Sequence, residues 1–216
     1  MSDSFIERQQ AGAELNTLLL GTGNRGKVEE LLALLDSIPS LQVMTRDDVP
    51  FSDVAETGAT FLDNAVLKAR GIHHQTGLPV LAEDAGLEVG ALDGKPGVYS
   101  ARYSGPGATD ETNVRLLLDR LNGATDRRAR FVDVACLLLP DGRTFITTGI
   151  LEGTIATAPS GDAGFGYDPI FVPIGAQNTL AQLPLEEKNR ISHRRDAIRR
   201  LTPILEGLVA TNSLRA

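Results

Sequence analysis

The fold is decided by a stretch near the amino terminus, Leu15-Asn16-Thr17-Leu18-Leu19-Leu20-Gly21-Thr22-Gly23-Asn24-Arg25-Gly26-Lys27. Its first six residues form a short apolar run that ends at a glycine, which is typical of a buried strand. Apolar residues then recur at helical spacing, at Val28, Leu31, Leu32 and Leu35. Pro39 ends this helix, and an extended pattern resumes over residues 41–45. The order strand, helix, strand predicts an α/β domain.

The glycine-rich turn fits two known patterns, and each lacks a part. Gly21, Gly23 and Gly26 spell G-x-G-x-x-G, the dinucleotide-binding pattern, and with Lys27 they also spell the start of a P-loop. A P-loop needs Ser or Thr after the lysine, but Val28 stands there. A dinucleotide site has an acid about 20 residues further on. Two acids lie near that distance, which leaves this interpretation open: Asp47 and Asp48.

Both patterns share one physical property, a preference for an anion. A glycine turn exposes backbone N–H groups, and the helix behind it favours negative charge. Thr22 and Asn24 add side-chain donors, and Lys27 adds a positive charge. The alternative is a tight strand–helix turn that binds nothing.

A second helix is predicted from Phe61 to His73, with Thr60 as its N-cap. Asn64 and Lys68, four residues apart, lie on one side of it. A short strand is predicted over Pro79–Ala82, which ends at two acids, Glu83 and Asp84.

The second half of the chain is rich in β pattern. The runs 131–139 and 144–155 flank Pro140-Asp141-Gly142, which indicates a hairpin and therefore a mixed sheet. A last helix is predicted to begin at Ser192, with Pro203 bending it. Its apolar face carries Ile198, Leu201, Leu205 and Leu208.

Bulk properties exclude several classes of protein. With 216 residues and a net charge of -7, the chain is a poor partner for a nucleic acid polymer. Its single cysteine, Cys136, lies in an apolar run and is predicted to be a core residue. No apolar run reaches the roughly 18 residues of a membrane helix. We expect a cytoplasmic protein with a disordered extension over residues 1–14 and one domain over residues 15–216.

Three acids accompany the predicted anion site: Glu56, Glu83 and Asp84. Carboxylates beside a phosphate group are unfavourable unless a hard divalent cation lies between them. Lys27 and Lys68 strengthen this interpretation, because they would neutralise the same polyanion. Taken singly, each acid could equally be solvated or cap a turn.

Two further segments carry candidate ligand-binding residues. In Gly164-Phe165-Gly166-Tyr167-Asp168-Pro169-Ile170-Phe171, the flanking glycines leave the ring of Phe165 open for stacking on a base, although a strand edge with core aromatics fits equally. Residues 188–200 contain six cations and one acid. His193 and Arg194 stand at the start of a helix, where cations gain nothing from the helix dipole. Either an anionic group lies nearby or this is a solvated face.

The ordered set of motifs resembles the inosine/xanthosine triphosphate pyrophosphatases. The motifs are Thr22-Gly23-Asn24-Arg25-Gly26-Lys27, Glu56-Thr57-Gly58, Phe61 with Asn64-Ala65 and Lys68-Ala69, Glu83-Asp84-Ala85-Gly86-Leu87-Glu88-Val89, Pro96-Gly97-Val98-Tyr99-Ser100-Ala101-Arg102-Tyr103, Gly164-Phe165-Gly166-Tyr167-Asp168-Pro169, Lys188 and Ser192-His193-Arg194. The resemblance implies an elongated mixed α/β fold with two lobes around a deep nucleotide-binding cleft, commonly as a homodimer. It implies Mg²⁺-dependent hydrolysis of ITP, dITP or XTP to the monophosphate and pyrophosphate.

Residue roles follow from the same resemblance. The turn Thr22–Lys27 and Lys68 bind the triphosphate, and Glu56 and Asp84 bind Mg²⁺, with Asp84 also positioning the attacking water. The purine pocket is formed by Phe165, Gly166, Tyr167, Asp168, Lys188, His193 and Arg194. Two residues depart from the pattern. Ala85 stands where relatives often carry Ser, and Glu83 where many carry Asp, which leaves open whether Glu83 also reaches the metal.

Three other functions stay open at this point. A related pyrophosphatase could act on other modified nucleotides, an NAD-dependent dehydrogenase could use the glycine turn, and a nucleotide-binding module could lack catalysis. For base selection, donors on Lys188, His193 or Arg194 would pair with the 6-oxo group of hypoxanthine and would reject adenine.

Overall fold

The computed structural model describes residues 16–214. Residue 15 and the predicted extension over residues 1–14 lie outside this range. The opening is the predicted one: strand β1 (Asn16–Leu20), helix α1 (Arg25–Leu35) and strand β2 (Leu41–Met44). β2 pairs with β1 in parallel.

The remaining elements follow in chain order: α2 (Phe61–Thr76), β3 (Val80–Val89), α3 (Asp110–Arg120), β4 (Arg128–Leu138), β5 (Thr144–Ile155), β6 (Phe171–Pro173), α4 (Leu185–Ile191) and α5 (His193–Ala210). The six strands form one sheet in the order β2-β1-β3-β4-β5-β6. β1 and β3 are parallel, and the pairs β3–β4, β4–β5 and β5–β6 are antiparallel. The predicted mixed sheet is therefore confirmed.

The two faces of the sheet are covered by different helices. Leu18, Leu81 and Leu137 pack with residues of α1 and α5 on one face. Leu19, Ala82 and Cys136 pack with residues of α2 on the other. Cys136 is 1% exposed, as predicted for a core residue, and burial raises the pKa of its thiol to about 11.

One predicted boundary is wrong, and it matters for the site. Glu83 and Asp84 do not follow a strand that ends at Ala82, because β3 continues through them to Val89. β4 pairs with β3 along its whole length and satisfies the backbone of both acids. The acids therefore lie inside the sheet, where buried charge needs partners.

The helices show smaller differences from the prediction. α2 ends at Thr76, one turn beyond His73, and the N-caps Thr60 and Ser192 are confirmed by their hydrogen bonds. Pro203 lies inside α5 as expected. Neither α3 nor α4 was assigned from the sequence. Among residues 16–214, no helix combines the length and apolar character needed to cross a bilayer.

Candidate active site

The glycine turn joins β1 to α1 and is built around a side-chain cap. Asn24 Oδ1 accepts from the Lys27 backbone N–H at 3.0 Å, which makes Asn24 the N-cap of α1. The Asn24 backbone N–H in turn donates to Thr22 Oγ1 at 3.2 Å. Lys27 then directs its ammonium to Glu83, at 3.3 Å. The turn therefore presents the start of a helix together with a partly buried lysine.

The glycines of this turn serve different purposes. A Cβ on Gly21 would lie 2.9 Å from Val80 Cγ1, so Gly21 permits close packing of the turn on β3. A Cβ on Gly26 would lie 2.7 Å from Phe165 Cδ1. Gly26 thus lets the ring of Phe165 rest on the first turn of α1. The G-x-G-x-x-G spacing reflects packing here as well as approach to a ligand.

On the α2 face of the sheet, two carboxylates share one lysine. Lys68 Nζ lies 3.2 Å from Glu56 Oε1 and 3.7 Å from Asp84 Oδ1. Asn64 Nδ2 donates to Asp84 Oδ2 at 2.9 Å, and Asn64 Oδ1 accepts from the Gly58 backbone N–H at 2.8 Å. Asn64 therefore links the loop that carries Glu56 to the strand that carries Asp84.

Asp84 has the electrostatic character of a base. Burial raises the pKa of its carboxyl above the ordinary value, while Lys68, Asn64 and Lys27 lower it and Glu56 raises it further. A carboxylate whose pKa is raised accepts a proton more readily near neutral pH. Its neighbours Lys68, Asn64 and Lys27 oppose this effect because they favour the charged form.

Glu83 belongs to a different group from Asp84. Neighbouring residues of a strand point to opposite faces, and Glu83 faces α1 and α5. Arg194 Nη2 and Nε lie 2.8 and 2.9 Å from its carboxylate, and Lys27 is a second partner. Burial alone would raise the pKa of Glu83, but Arg194 and Lys27 lower it to about 2. We therefore do not keep Glu83 among the candidate metal ligands.

The cations of residues 188–200 divide into two classes. Lys188 Nζ donates to Glu30 Oε1 at 2.8 Å and to Asp168 Oδ2 at 2.7 Å, and it is 4% exposed. Arg194 is 1% exposed and binds Glu30 as well as Glu83. Arg199 and Arg200, in contrast, are exposed and pair with Asp196 within α5. Lys188 and Arg194 thus have the nearby anionic groups of the first interpretation, whereas Arg199 and Arg200 form the solvated face of the second.

The structure brings the predicted pocket residues close to this buried network. Lys188 Nζ lies 4.7 Å from the centroid of the Phe165 ring, and Arg194 Cζ lies 6.0 Å from it. The Phe165 backbone N–H donates to Asp168 Oδ2 at 3.0 Å. Phe165 is half-buried, with Lys188 over its ring and the first turn of α1 against its Cδ1–Cε1 edge.

Tyr167 and His193, two further predicted pocket residues, are held by contacts within the protein. Tyr167 is buried and donates its hydroxyl to the Ser100 backbone carbonyl at 2.9 Å. His193 stacks on Phe131, with ring centroids 4.8 Å apart and an interplanar angle of 11°. Burial, together with Arg194, holds the pKa of His193 well below its ordinary value, so the imidazole is neutral.

Two buried acids near the site were missed by the sequence analysis. Glu30 occupies the buried side of α1, and a charge on an apolar helix face was the available signal. Asp133 lies opposite Ala85 in the β3–β4 ladder, and its buried carboxyl interacts with that of Glu83. Burial, and then Glu83, raise its pKa well above the ordinary value, which favours the neutral form of this carboxyl. An alternating strand pattern gave no warning of it.

The donor set fits a divalent cation only in part. Among residues 16–214, no group of three or more His, Cys, Asp or Glu side chains could hold a metal ion by itself. Glu56 and Asp84 supply two hard oxygen donors, and the Lys68 ammonium between them shows that the pair accommodates a cation. Mg²⁺ is commonly bound by one or two carboxylates that share it with substrate phosphates. The pair fits that mode of binding.

Comparison with known proteins identifies the family. The Ham1 family model matches residues 18–204. A dITP/XTP pyrophosphatase of an Exiguobacterium species is 48% identical over 185 residues, which cover 85% of this chain and 94% of the relative. The chain belongs to the Ham1 family.

Further members of the family agree in length and in structure. A dITP/XTP pyrophosphatase of Streptomyces coelicolor is 45% identical over 199 residues, covering 90% of this chain and 100% of that protein. A HAM1 protein from Coxiella burnetii superposes with a TM-score of 0.82 at 40% identity, covering 90% and 100% of the two chains. The Staphylococcus aureus Ham1 protein gives a TM-score of 0.80 at 43% identity, covering 88% and 98%.

Membership of the Ham1 family confirms the resemblance found in the sequence. It also removes the NAD-dependent dehydrogenase from the alternatives. Relatives of nearly the same length carry the name of the predicted activity. One of the two acids of the dinucleotide interpretation is also engaged locally, because Asp48 accepts from the Thr45 backbone N–H and hydroxyl at 2.9 and 3.0 Å. Asp48 closes a local turn after β2.

Proposed function

We propose that the chain hydrolyses deaminated purine nucleoside triphosphates, namely ITP, dITP and XTP, to the monophosphate and pyrophosphate. The observation that carries the proposal is the Glu56–Lys68–Asp84 cluster beside the glycine turn, in a member of the Ham1 family. An anion-binding turn and a carboxylate pair are the two parts that phosphoanhydride hydrolysis requires.

The triphosphate is bound by the turn Thr22–Lys27 and by Lys68. The first turn of α1 supplies backbone N–H groups, and its dipole favours the negative charge of a phosphate. Lys27 and Lys68 are both partly buried, so their charges are less screened than those of surface lysines. Each is paired with a carboxylate, which holds the ammonium close to the site.

Glu56 and Asp84 hold the metal, which we propose to be Mg²⁺. When bound, Mg²⁺ would neutralise negative charge on the phosphates and on the departing pyrophosphate. Lys68 lies between the two carboxylates and would move from them onto the triphosphate. Asn64 fixes the position of the Glu56 loop relative to Asp84, because it forms hydrogen bonds to both.

Asp84 positions the attacking water and takes its proton. Asn64 and Lys68 hold its carboxylate in one orientation, which suits a group that must meet the water at a fixed position. The α-phosphorus is attacked in line, and the bond to the bridging oxygen of pyrophosphate breaks.

The base stacks on Phe165, within the wall formed by Gly166, Tyr167 and Asp168. Arg194 binds Glu83 and Glu30, and we propose that its main part is to hold those acids and the start of α5. The Lys188 ammonium has three N–H donors and uses two of them on carboxylates. We propose that the third N–H donates to the 6-oxo group of the base. Since adenine lacks that acceptor, this donor disfavours ATP.

Three finer points of the proposal concern the whole protein. We propose a homodimer, a cytoplasmic location and a single domain over residues 15–216, with the two lobes and deep cleft that the resemblance implies. The homodimer, the lobes and the cleft rest on the resemblance, whereas the location and the single domain rest on the bulk properties of the sequence.

The deciding experiment is incubation with ITP, XTP, dITP, ATP and GTP plus Mg²⁺, with pyrophosphate and orthophosphate assayed separately. We expect pyrophosphate from the first three substrates and little turnover of ATP, which lacks the 6-oxo group; the GTP arm shows whether the 2-amino group of guanine is also rejected. Release of orthophosphate alone would mean that another bond is cut. Turnover of other modified nucleotides in place of these three would favour a related pyrophosphatase.

A further inference from the structure

Arg46 is a cation beside the glycine turn that the roles above do not use. It follows β2, and its guanidinium reaches back to the turn, where a Cβ on Gly23 would lie 2.9 Å from Arg46 Nη1. Its exposed fraction is 39%, so the group faces both the turn and solvent.

The local structure holds the guanidinium in place. Arg46 Cζ lies 5.2 Å from the centroid of the Phe51 ring, and Phe51 is itself buried. The preceding residue, Thr45, is fixed by two hydrogen bonds to Asp48. A guanidinium stacked on an aromatic ring loses little further entropy when it binds an anion.

The present partner of Arg46 is one that a phosphate can replace. Arg46 Nη1 donates to Asp53 Oδ1 at 2.7 Å, but the Asp53 side chain is 86% exposed. Ion pairs between exposed groups contribute little to stability. A phosphate accepts two parallel hydrogen bonds from a guanidinium and carries more charge than Asp53.

Position along the turn indicates which part of the substrate Arg46 would meet. Phe165 contacts the turn at Gly26, three residues beyond the Gly23 contact of Arg46. If the base stacks on Phe165, the base and Arg46 meet the turn at different residues, with Arg46 at the one nearer β1. A nucleotide whose phosphates run along the turn from Gly26 towards Gly23 would bring its pyrophosphate part to Arg46.

We propose that Arg46 binds the pyrophosphate moiety of the triphosphate and that Asp53 competes with this moiety for the guanidinium. The inference rests on the proposed function and deepens it. Arg46 would then help to select triphosphates over monophosphates, because only a triphosphate or pyrophosphate reaches it.

The first test is Arg46→Gln. We expect KM for ITP and the inhibition constant of pyrophosphate to rise about tenfold, since a charge-assisted hydrogen bond is lost. Inhibition by inosine monophosphate should not change. Unchanged pyrophosphate inhibition, or an equal loss for the monophosphate, would overturn the proposal.

The second test is Asp53→Asn, which removes the competitor and leaves Arg46 in place. We expect KM for ITP to fall, and we expect no effect of Asp53→Asn in the Arg46→Gln background. If Asp53→Asn instead raises KM as much as Arg46→Gln does, the pair merely holds the loop, and the proposal is wrong.

A matched control is Arg128→Gln, which makes the same charge change at another exposed pair, Arg128 with Asp126. It should leave all three constants unchanged. Calorimetric titration with magnesium pyrophosphate tests the role of Arg46 separately from the proposed function. If the wild-type protein fails to cleave ITP, the proposed function is wrong, and weaker pyrophosphate binding by Arg46→Gln still decides the role of Arg46.

Discussion

Glu83 and Asp84 are adjacent in the chain but experience opposite environments. Glu83 faces Arg194 and Lys27, and its pKa is lowered to about 2 despite burial. Asp84 faces Asn64 and Lys68, and burial raises its pKa. The negative charge of Glu83 therefore stabilises the fold, whereas the negative charge of Asp84 opposes folding. The two acids should respond to neutralisation in opposite ways.

Asp84→Asn should abolish turnover without weakening the fold. Loss of a general base lowers kcat by about 10²–10⁴-fold. Because the ordinary pKa of Asp84 lies below its pKa in the folded protein, the charged form opposes folding at neutral pH, and stability should stay equal or rise. Steady-state kinetics and thermal unfolding measure the two effects. Retained activity would remove Asp84 from the mechanism.

Glu83→Gln, in contrast, should lower the stability of the fold. It leaves Arg194 short of a buried partner, which costs about 3 kcal/mol of unfolding free energy. The contribution of a carboxyl with a lowered pKa is present above its unfolded value of 4.5 and is lost as the pH falls towards about 2. Denaturation between pH 7 and pH 2 should therefore show the wild type and variant converging. A constant difference over this range would contradict the assigned cause.

At the scale of elements, α1 depends on two glycines for unrelated reasons. Gly21 lets the turn approach β3, and Gly26 lets the Phe165 ring rest on the helix. Helix propensity alone disfavours glycine at position 26. The contact with Phe165 explains why it is tolerated there, and it connects the phosphate-binding turn to the proposed base-stacking ring.

Gly26→Ala should therefore raise KM for ITP several-fold while changing stability little. The gain of about 1 kcal/mol in helix propensity offsets the crowding of Phe165. The matched control is Gly207→Ala in α5, where an added Cβ would meet nothing within 4 Å. This control should stabilise the protein and leave KM unchanged. Equal KM values for the two variants would show that Phe165 does not depend on Gly26.

At the scale of the whole molecule, α5 is bound tightly to β5 and brings distant parts of the chain together. A Cβ on Gly149 would lie 2.0 Å from the His193 backbone oxygen and 2.4 Å from the Ala197 backbone nitrogen. This close approach places Arg194 between Glu83 of β3 and Glu30 of α1.

Gly149→Ala should thus weaken the fold and the site together. Neither backbone atom can turn aside, so α5 must shift, at a cost of about 1–3 kcal/mol or more. Chemical denaturation and the KM for ITP should both change. The control Thr148→Ala lies next to it on the exposed side of β5 and should change neither. A stable Gly149→Ala variant with normal KM would contradict the argument.

Sequence by itself determined the local structure and the family. The strand–helix–strand opening, the N-caps at Thr60 and Ser192, and the hairpin at Pro140-Asp141-Gly142 were readable because each depends on neighbouring residues. The ordered motifs identified the Ham1 family for a related reason, since a ligand site fixes residue types at given positions.

Only the tertiary structure decided which charges meet. Sequence analysis ended β3 before Glu83, because two acids in an apolar run look like the end of a strand. It gave no way to pair Arg194 with Glu30, which lies 164 positions away, or to find the buried carboxyl of Asp133. A buried charge is permitted only by partners that the fold brings from elsewhere in the chain. That is why the chain order alone could not separate Glu83, which holds the fold together, from Asp84, which we propose acts on the substrate.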